Sequence, residues 1–171
     1  MPLRPPRRDP RIQSLIARRW VGVFLFTVLV SGCGTAARYR SPGERLETIR
    51  LLPPLAGTVS SGFGNRSGGW HAGIDILAPA GPEVHAASKG LAGYTGNGMR
   101  GYGNVLILDH GGGITTLYGH LATIRVQSGE TVPAGAVIGT VGRSGNATTH
   151  HLHFELRVDG EAVDPIPYLN R

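Results

Sequence analysis

Four side chains in two short clusters carry the chemistry open to this chain: His71 with Asp75, and His151 with His153. Imidazole and carboxylate are the groups that hold a catalytic zinc ion when one coordination position is kept for water or substrate. The clusters lie about eighty residues apart, so the fold must bring them together.

The local patterns indicate how each cluster is presented. His151-Leu152-His153-Phe154-Glu155-Leu156-Arg157-Val158 alternates polar and apolar without a break, the period of a strand with one buried face. Leu152, Phe154, Leu156 and Val158 then face the core, and the histidines face away. His71-Ala72-Gly73-Ile74-Asp75 cannot be a straight strand, because four steps of about 3.3 Å would hold the two side chains about 13 Å apart. A helix would bring them together, but Gly73 inside the segment and Pro79 and Gly81 soon after favour a kink at Gly73. Taken singly, an HxxxD or an HxH occurs often without any metal. Together they form a more demanding pattern.

The remainder of the chain has room for one domain and an N-terminal appendage. Arg4, Arg7, Arg8, Arg11, Arg18 and Arg19 precede the apolar run Trp20 to Val30, which gives way to Ser31-Gly32-Cys33. This is the layout of an export signal over residues 1–32. The run of eleven residues is short of the roughly 20 that a spanning helix requires. Val30-Ser31-Gly32-Cys33 resembles the bacterial lipobox, which implies acylation of Cys33, the chain's single cysteine, and a lipid-anchored protein facing the periplasm. Gly34 after the cysteine points, by analogy with lipoprotein sorting, to the outer membrane. A single cysteine also excludes an intrachain disulfide. Of the 17 basic and 11 acidic residues, the first 32 positions hold six and one, leaving 11 against 10. The exported part is nearly neutral, and nothing in it forms the basic stripe that a nucleic-acid partner would need.

Residues 33–54 read as a tether, with a helical turn near Glu44 to Ile49, and the domain of residues 55–171 as mainly antiparallel β. Short apolar runs at 74–77, 84–87, 105–108, 114–118, 136–141 and 152–158 lie between Gly, Pro, Asn and Asp. Asp159-Gly160 is the preferred two-residue hairpin turn. Ser128-Gly129-Glu130 and Pro133-Ala134-Gly135 suggest a second, small hairpin.

Five segments, taken in order, resemble the lysostaphin/LytM-type zinc metallopeptidases, which cut the peptide part of bacterial peptidoglycan: Ser60 to Arg66, His71 to Asp75, Gly103-Asn104-Val105, Tyr118-Gly119-His120-Leu121 and His151 to Glu155. The resemblance covers about residues 55–169. It implies an open groove carrying one zinc held by His71, Asp75 and His153, with His120 and His151 serving catalysis. Spacing alone leaves coordination by both His151 and His153 open, as well as which of His120 and His151 acts as the base. Arg66, Tyr102 and Asn104 are candidates for the groove wall, while His85 and His110, beside strand ends, read as structural or as orienting a ligand. His150 stands where the family commonly has proline. The short Ser67-Gly68-Gly69-Trp70 loop and the Asn97 to Asn104 segment look like a lipoprotein branch that lacks the metal site and activates cell-wall amidases at the division septum. That branch typically replaces the ligand positions, whereas all five His and Asp positions are intact here, which favours an enzyme over an activator.

Overall fold

The computed structural model describes residues 41–169; the expectations for the export signal and for Cys33 lie outside them. Among the described residues no helix is long and apolar enough to cross a membrane. A short helix α1 (Pro42–Thr48) precedes strands β1 (Thr58–Ser61), β2 (Gly64–Arg66), β3 (Gly69–His71), β4 (Ile74–Leu77), β5 (Glu83–His85), β6 (Gly90–Gly96), β7 (Asn104–Asp109), β8 (Ile114–Leu121), β9 (Thr123–Ile124), β10 (Thr131–Val132), β11 (Val137–Thr140), β12 (His151–Val158) and β13 (Glu161–Val163). A 3-10 turn, Ile166–Tyr168, comes after them.

The large sheet has the order β1-β4-β12-β8-β7-β6-β10, with β13 also on β12; β5-β11-β9 form a second sheet and β2-β3 a hairpin. Every strand pairing is antiparallel. The alternation in β12 does what its period requires: Leu152, Phe154 and Leu156 are buried in one core with Ile74, Ile76, Leu106, Leu108 and Tyr118, and Val158 is buried as well. The Asp159-Gly160 turn places Val158 opposite Glu161, with φ of 52° and 87° at the two turn residues, as a primed hairpin demands.

Two expectations are corrected. The segment from 128 to 135 does not form a hairpin: its strand β10 pairs with β6, and the next strand, β11, pairs with β5 and β9. The tether ends earlier than residue 54, because residues 42–54 are docked on the domain. Ser41 and Glu44 cap α1 reciprocally. The Arg45 guanidinium binds Asp159 and the Gly112 carbonyl. Leu51, only 2% exposed, bridges Leu169, and the Leu52 N–H donates to the Ala87 carbonyl at 2.8 Å. Leu46, Ile49 and Leu51 supply the apolar face that holds this arm. A segment with only three such residues shows no sustained period, so its sequence looks like linker.

Candidate metal centre and groove

β12 forms the floor of the site. In an antiparallel pair, residues opposite one another share a face, and His153 stands opposite Asp75 of β4 on one side and Gly119 of β8 on the other. Asp75 and His153 thus meet through strand register. His71 joins them because the chain turns between β3 and β4 at Ala72-Gly73, in agreement with the kink that Gly73 suggests. A side chain at Gly73 would lie 2.2 Å from the Phe154 carbonyl oxygen, so only glycine lets the bend pass this close to β12.

Three donor atoms converge. His71 Nε2 lies 3.1 Å from Asp75 Oδ1, His153 Nδ1 lies 2.9 Å from the same oxygen, and the two imidazole nitrogens are 3.1 Å apart. Outer hydrogen bonds decide what these atoms carry. His71 Nδ1 donates to the Gly62 carbonyl at 2.8 Å, and His153 Nε2 donates to Glu155 Oε1 at 2.9 Å. In neutral rings this leaves bare lone pairs at His71 Nε2 and His153 Nδ1, facing one another and a carboxylate oxygen. Such a cluster needs a cation at its centre, and the separations approach the roughly 3.3 Å edge of a tetrahedron of zinc donors. Two imidazoles and one carboxylate, each held from behind, fit zinc with an open position. His151 Nε2 lies 3.7 Å from Asp75 Oδ1, outside the trio but beside it.

Glu155 is the residue that sequence reasoning missed as functional. Its side chain is 0% exposed and accepts from the Tyr102 hydroxyl at 2.7 Å, His153 Nε2 at 2.9 Å and Arg157 Nε at 2.6 Å. Burial alone would raise its pKa, but the hydrogen bonds from His153, Arg157 and Tyr102 outweigh it and hold the carboxyl below the ordinary glutamate value. Burial and the Glu155 carboxylate in turn push the Tyr102 hydroxyl up to about 12, so it stays a donor. Burial would likewise lower His153, yet Asp75 and Glu155 bring it above the usual histidine value in the metal-free chain. Asp75 ends below its ordinary value because the three surrounding histidines outweigh its burial. A signal for Glu155 existed in the sequence: it lies two residues from His153, hence on the same face of the strand, and two from a balancing Arg157.

His120 reaches the site through an irregularity. Leu106 pairs with Tyr118 but Asn104 with Leu121, so β8 carries one extra residue against β7 at Gly119-His120. Ile114, Thr116 and Tyr118 lie on the core side of β8, and an unbroken period would send His120 there too. The bulge reverses the parity: Leu121 is buried and the imidazole turns into the groove. The turn holds His120 at φ 61°, fixed by its N–H to the Tyr102 carbonyl and its Nδ1 to the Ser144 carbonyl, both 2.8 Å. His151 is held alike, its Nδ1 3.0 Å from the Thr149 carbonyl. In its neutral form each ring therefore presents a bare Nε2, and the centroids are 4.7 Å apart. Burial and the neighbouring histidines lower the His120 pKa, so this ring is neutral at pH 7.

The groove has a volume of about 510 Å³ and is lined by the five expected His and Asp residues together with Arg66 and Tyr102. Asn104 is placed behind the wall: its amide donates to the Leu121 and Ala122 carbonyls, and its N–H to Ser144 Oγ. His110 lies away from the groove, bonded to the Lys89 carbonyl and the Thr116 hydroxyl, and His85 to the Gly135 carbonyl.

The model of peptidase family M23 matches residues 69–165, more than half of the chain and all of the donors above. The chain belongs to peptidase family M23. Among its relatives, it is 41% identical over 118 residues to the uncharacterized lipoprotein YgeR of Escherichia coli, covering 69% of this chain and 46% of that one. It is 40% identical over 116 residues to the murein hydrolase activator NlpD of the same organism, covering 68% and 30%, and 40% identical over 122 residues to the DD-carboxypeptidase/endopeptidase Mpg of Neisseria meningitidis, covering 67% and 28%. The chain thus spans less than half the length of these three relatives. Among solved structures, the antimicrobial peptidase lysostaphin from Staphylococcus simulans superposes with a TM-score of 0.62 at 32% identity, over 66% of this chain and 48% of that one. A zinc containing peptidase from Vibrio cholerae does so with a TM-score of 0.61 at 30% identity, over 68% and 38%.

Proposed function

We propose that this chain is a zinc-dependent endopeptidase that hydrolyses cross-links or stem peptides of bacterial peptidoglycan during cell-wall remodelling. The observation that carries the reading is the donor trio of His71, Asp75 and His153 with two further imidazoles, His120 and His151, turned towards it. His71, Asp75 and His153 would hold the zinc, which when bound would supply Lewis acidity and lower the pKa of a water towards neutrality. The chain's own residues then handle the protons. A neutral imidazole with a bare Nε2 takes the proton of the attacking water; once protonated, the same nitrogen donates to the leaving amine. The second imidazole, when it carries a proton on Nε2, stabilises the developing oxyanion. Tyr102, Glu155 and Arg157 keep His153 oriented throughout.

The names of lysostaphin and Mpg support peptidase activity, while the 40% identity to NlpD supports a second reading, a module that binds murein and stimulates an amidase. Complete donors and both groove imidazoles favour the enzyme. Purified sacculi incubated with the zinc-loaded protein should release new muropeptides. No release, with intact stimulation of an amidase, would give the case to the activator.

The lipoprotein names of its relatives support a cell-envelope location, anchored at Cys33, with the outer membrane as destination. Because the arm docks from residue 42 onwards, only residues 34–41 separate it from Cys33, a stretch whose contour length cannot exceed roughly 30 Å. The enzyme then works on peptidoglycan close to its membrane. Cys33→Ser protein should leave the membrane fraction and take up no labelled palmitate; retention of both would refute the anchor.

A further inference from the structure

Among the described residues, the groove contains a cation with nothing to bind. Arg100 lines it, is exposed, and has no hydrogen-bond or ion-pair partner among those residues. The other charges along the groove are engaged. Arg66 Nη1 bonds Ser61 Oγ at 2.5 Å and lies 3.6 Å from Asp75 Oδ2. Asp75 belongs to the donor trio, and Glu155 is paired with Arg157 and hydrogen-bonded by His153.

Sheet order sets Arg100 against a different kind of wall. Trp70, 61% exposed, lies on β3, which leads into β4, whereas Arg100 lies in the loop between β6 and β7. β4 and β7 flank the central β12-β8 pair on opposite sides, so these walls meet the floor from opposite directions. A peptide crossing the donor trio would meet an indole face on one side and a free guanidinium on the other. The indole suits an aliphatic side chain. A planar guanidinium suits a carboxylate, which it can bind through two parallel hydrogen bonds.

Resting on the peptidase reading, we infer that Arg100 makes this groove selective for peptides with a free carboxylate close to the scissile bond, over peptides in which that group is amidated or absent.

The test uses two synthetic cross-linked peptides, identical except that one side-chain carboxylate is free or amidated, with the zinc-loaded full chain in detergent. Initial rates and calorimetric binding are measured for wild type, Arg100→Gln and Arg100→Lys. Wild type should favour the acid about tenfold or more in kcat/KM and in Kd, the scale of one charge-assisted hydrogen-bond pair. In Arg100→Gln the preference should vanish through KM, with the amidated peptide handled as before, and Arg100→Lys should keep part of it. Equal handling of both peptides by wild type, or a preference that survives in Arg100→Gln, overturns the inference. If neither peptide is cut, the peptidase reading fails, and the binding isotherms still decide: acid-selective binding lost in Arg100→Gln sustains the inference, and unselective or absent binding overturns it.

Discussion

Replacing Glu155 by Gln tests how the metal centre is held while changing almost no volume. Glu155 accepts three hydrogen bonds with no exposure to water, one from each of Tyr102, His153 and Arg157. In the Gln variant the amide oxygen can still face Tyr102 and His153, but the NH2 then faces the Arg157 Nε–H, and the negative charge behind the imidazole is gone. Hydrogen bonds to a charged partner are worth about 1.5–3 kcal/mol and neutral ones about 0.5–1.5. The bond that fixes His153 therefore weakens by roughly 1 kcal/mol, and the ring becomes a poorer donor. Removing such a support usually costs about 10–100-fold in metal affinity, or about 1.4–2.7 kcal/mol. Arg157, 30% exposed, can turn to solvent, so the fold should survive. Zinc Kd from competition with a chromophoric chelator, beside circular dichroism of the same samples, reads the effect. Tyr102→Phe removes one donor but keeps the charge, and should shift Kd less. A folded Glu155→Gln protein with a zinc Kd within twofold of wild type would refute the reasoning.

His120→Ala and His151→Ala should each keep zinc and fold while lowering peptide hydrolysis about a hundredfold or more, measured on sacculi; with His120 as the base, the acid limb of the wild type should lie below the usual histidine pKa of about 6.5. Gly73→Ala should fail to reach the native state or melt far below wild type, since the added Cβ meets the Phe154 backbone at 2.2 Å, and a normal thermal melt would count against the close approach. His110, lowered chiefly by burial with partial compensation from the Lys89 carbonyl and Asp109, is neutral in the fold while the unfolded chain takes up a proton near 6.5. Its contribution to stability is thus full above about pH 6.5 and is lost as the pH falls through the depressed folded value. The wild-type melting temperature should drop more than that of His110→Gln between pH 7.5 and 5.5, and equal drops would contradict this.

Much of the site is legible in the sequence because its main strand obeys a simple period. The alternation of β12 fixes the face of His151 and His153, Gly73 marks the bend, and Asp159-Gly160 marks the last hairpin. The features that escape depend on contacts that spacing does not encode. β6 is hidden because its glycines dilute the apolar pattern; Gly90 is needed where a Cβ would sit 2.9 Å from the Asp109 carbonyl oxygen. The β2-β3 hairpin has no apolar alternation at all. His120 is drawn to the site by resemblance, since parity alone would bury it, and only the bulge explains its direction. Asn104 looks like a groove residue because polar loop residues often are, yet its side-chain amide is taken up by the Leu121 and Ala122 carbonyls and its N–H by the Ser144 hydroxyl. Glu155 looks like an exposed strand residue until its three partners close over it.

The central claim is that His71, Asp75 and His153 together hold one zinc, and zinc content per chain tests it most directly. Wild type, His71→Ala, Asp75→Ala and His153→Ala are purified metal-free, reconstituted with zinc, desalted and analysed for metal. The predicted result is close to one zinc per wild-type chain and a steep loss in every single variant, because a three-donor site loses most of its affinity with any one donor. Undiminished zinc in the His71→Ala and His153→Ala proteins would contradict the account.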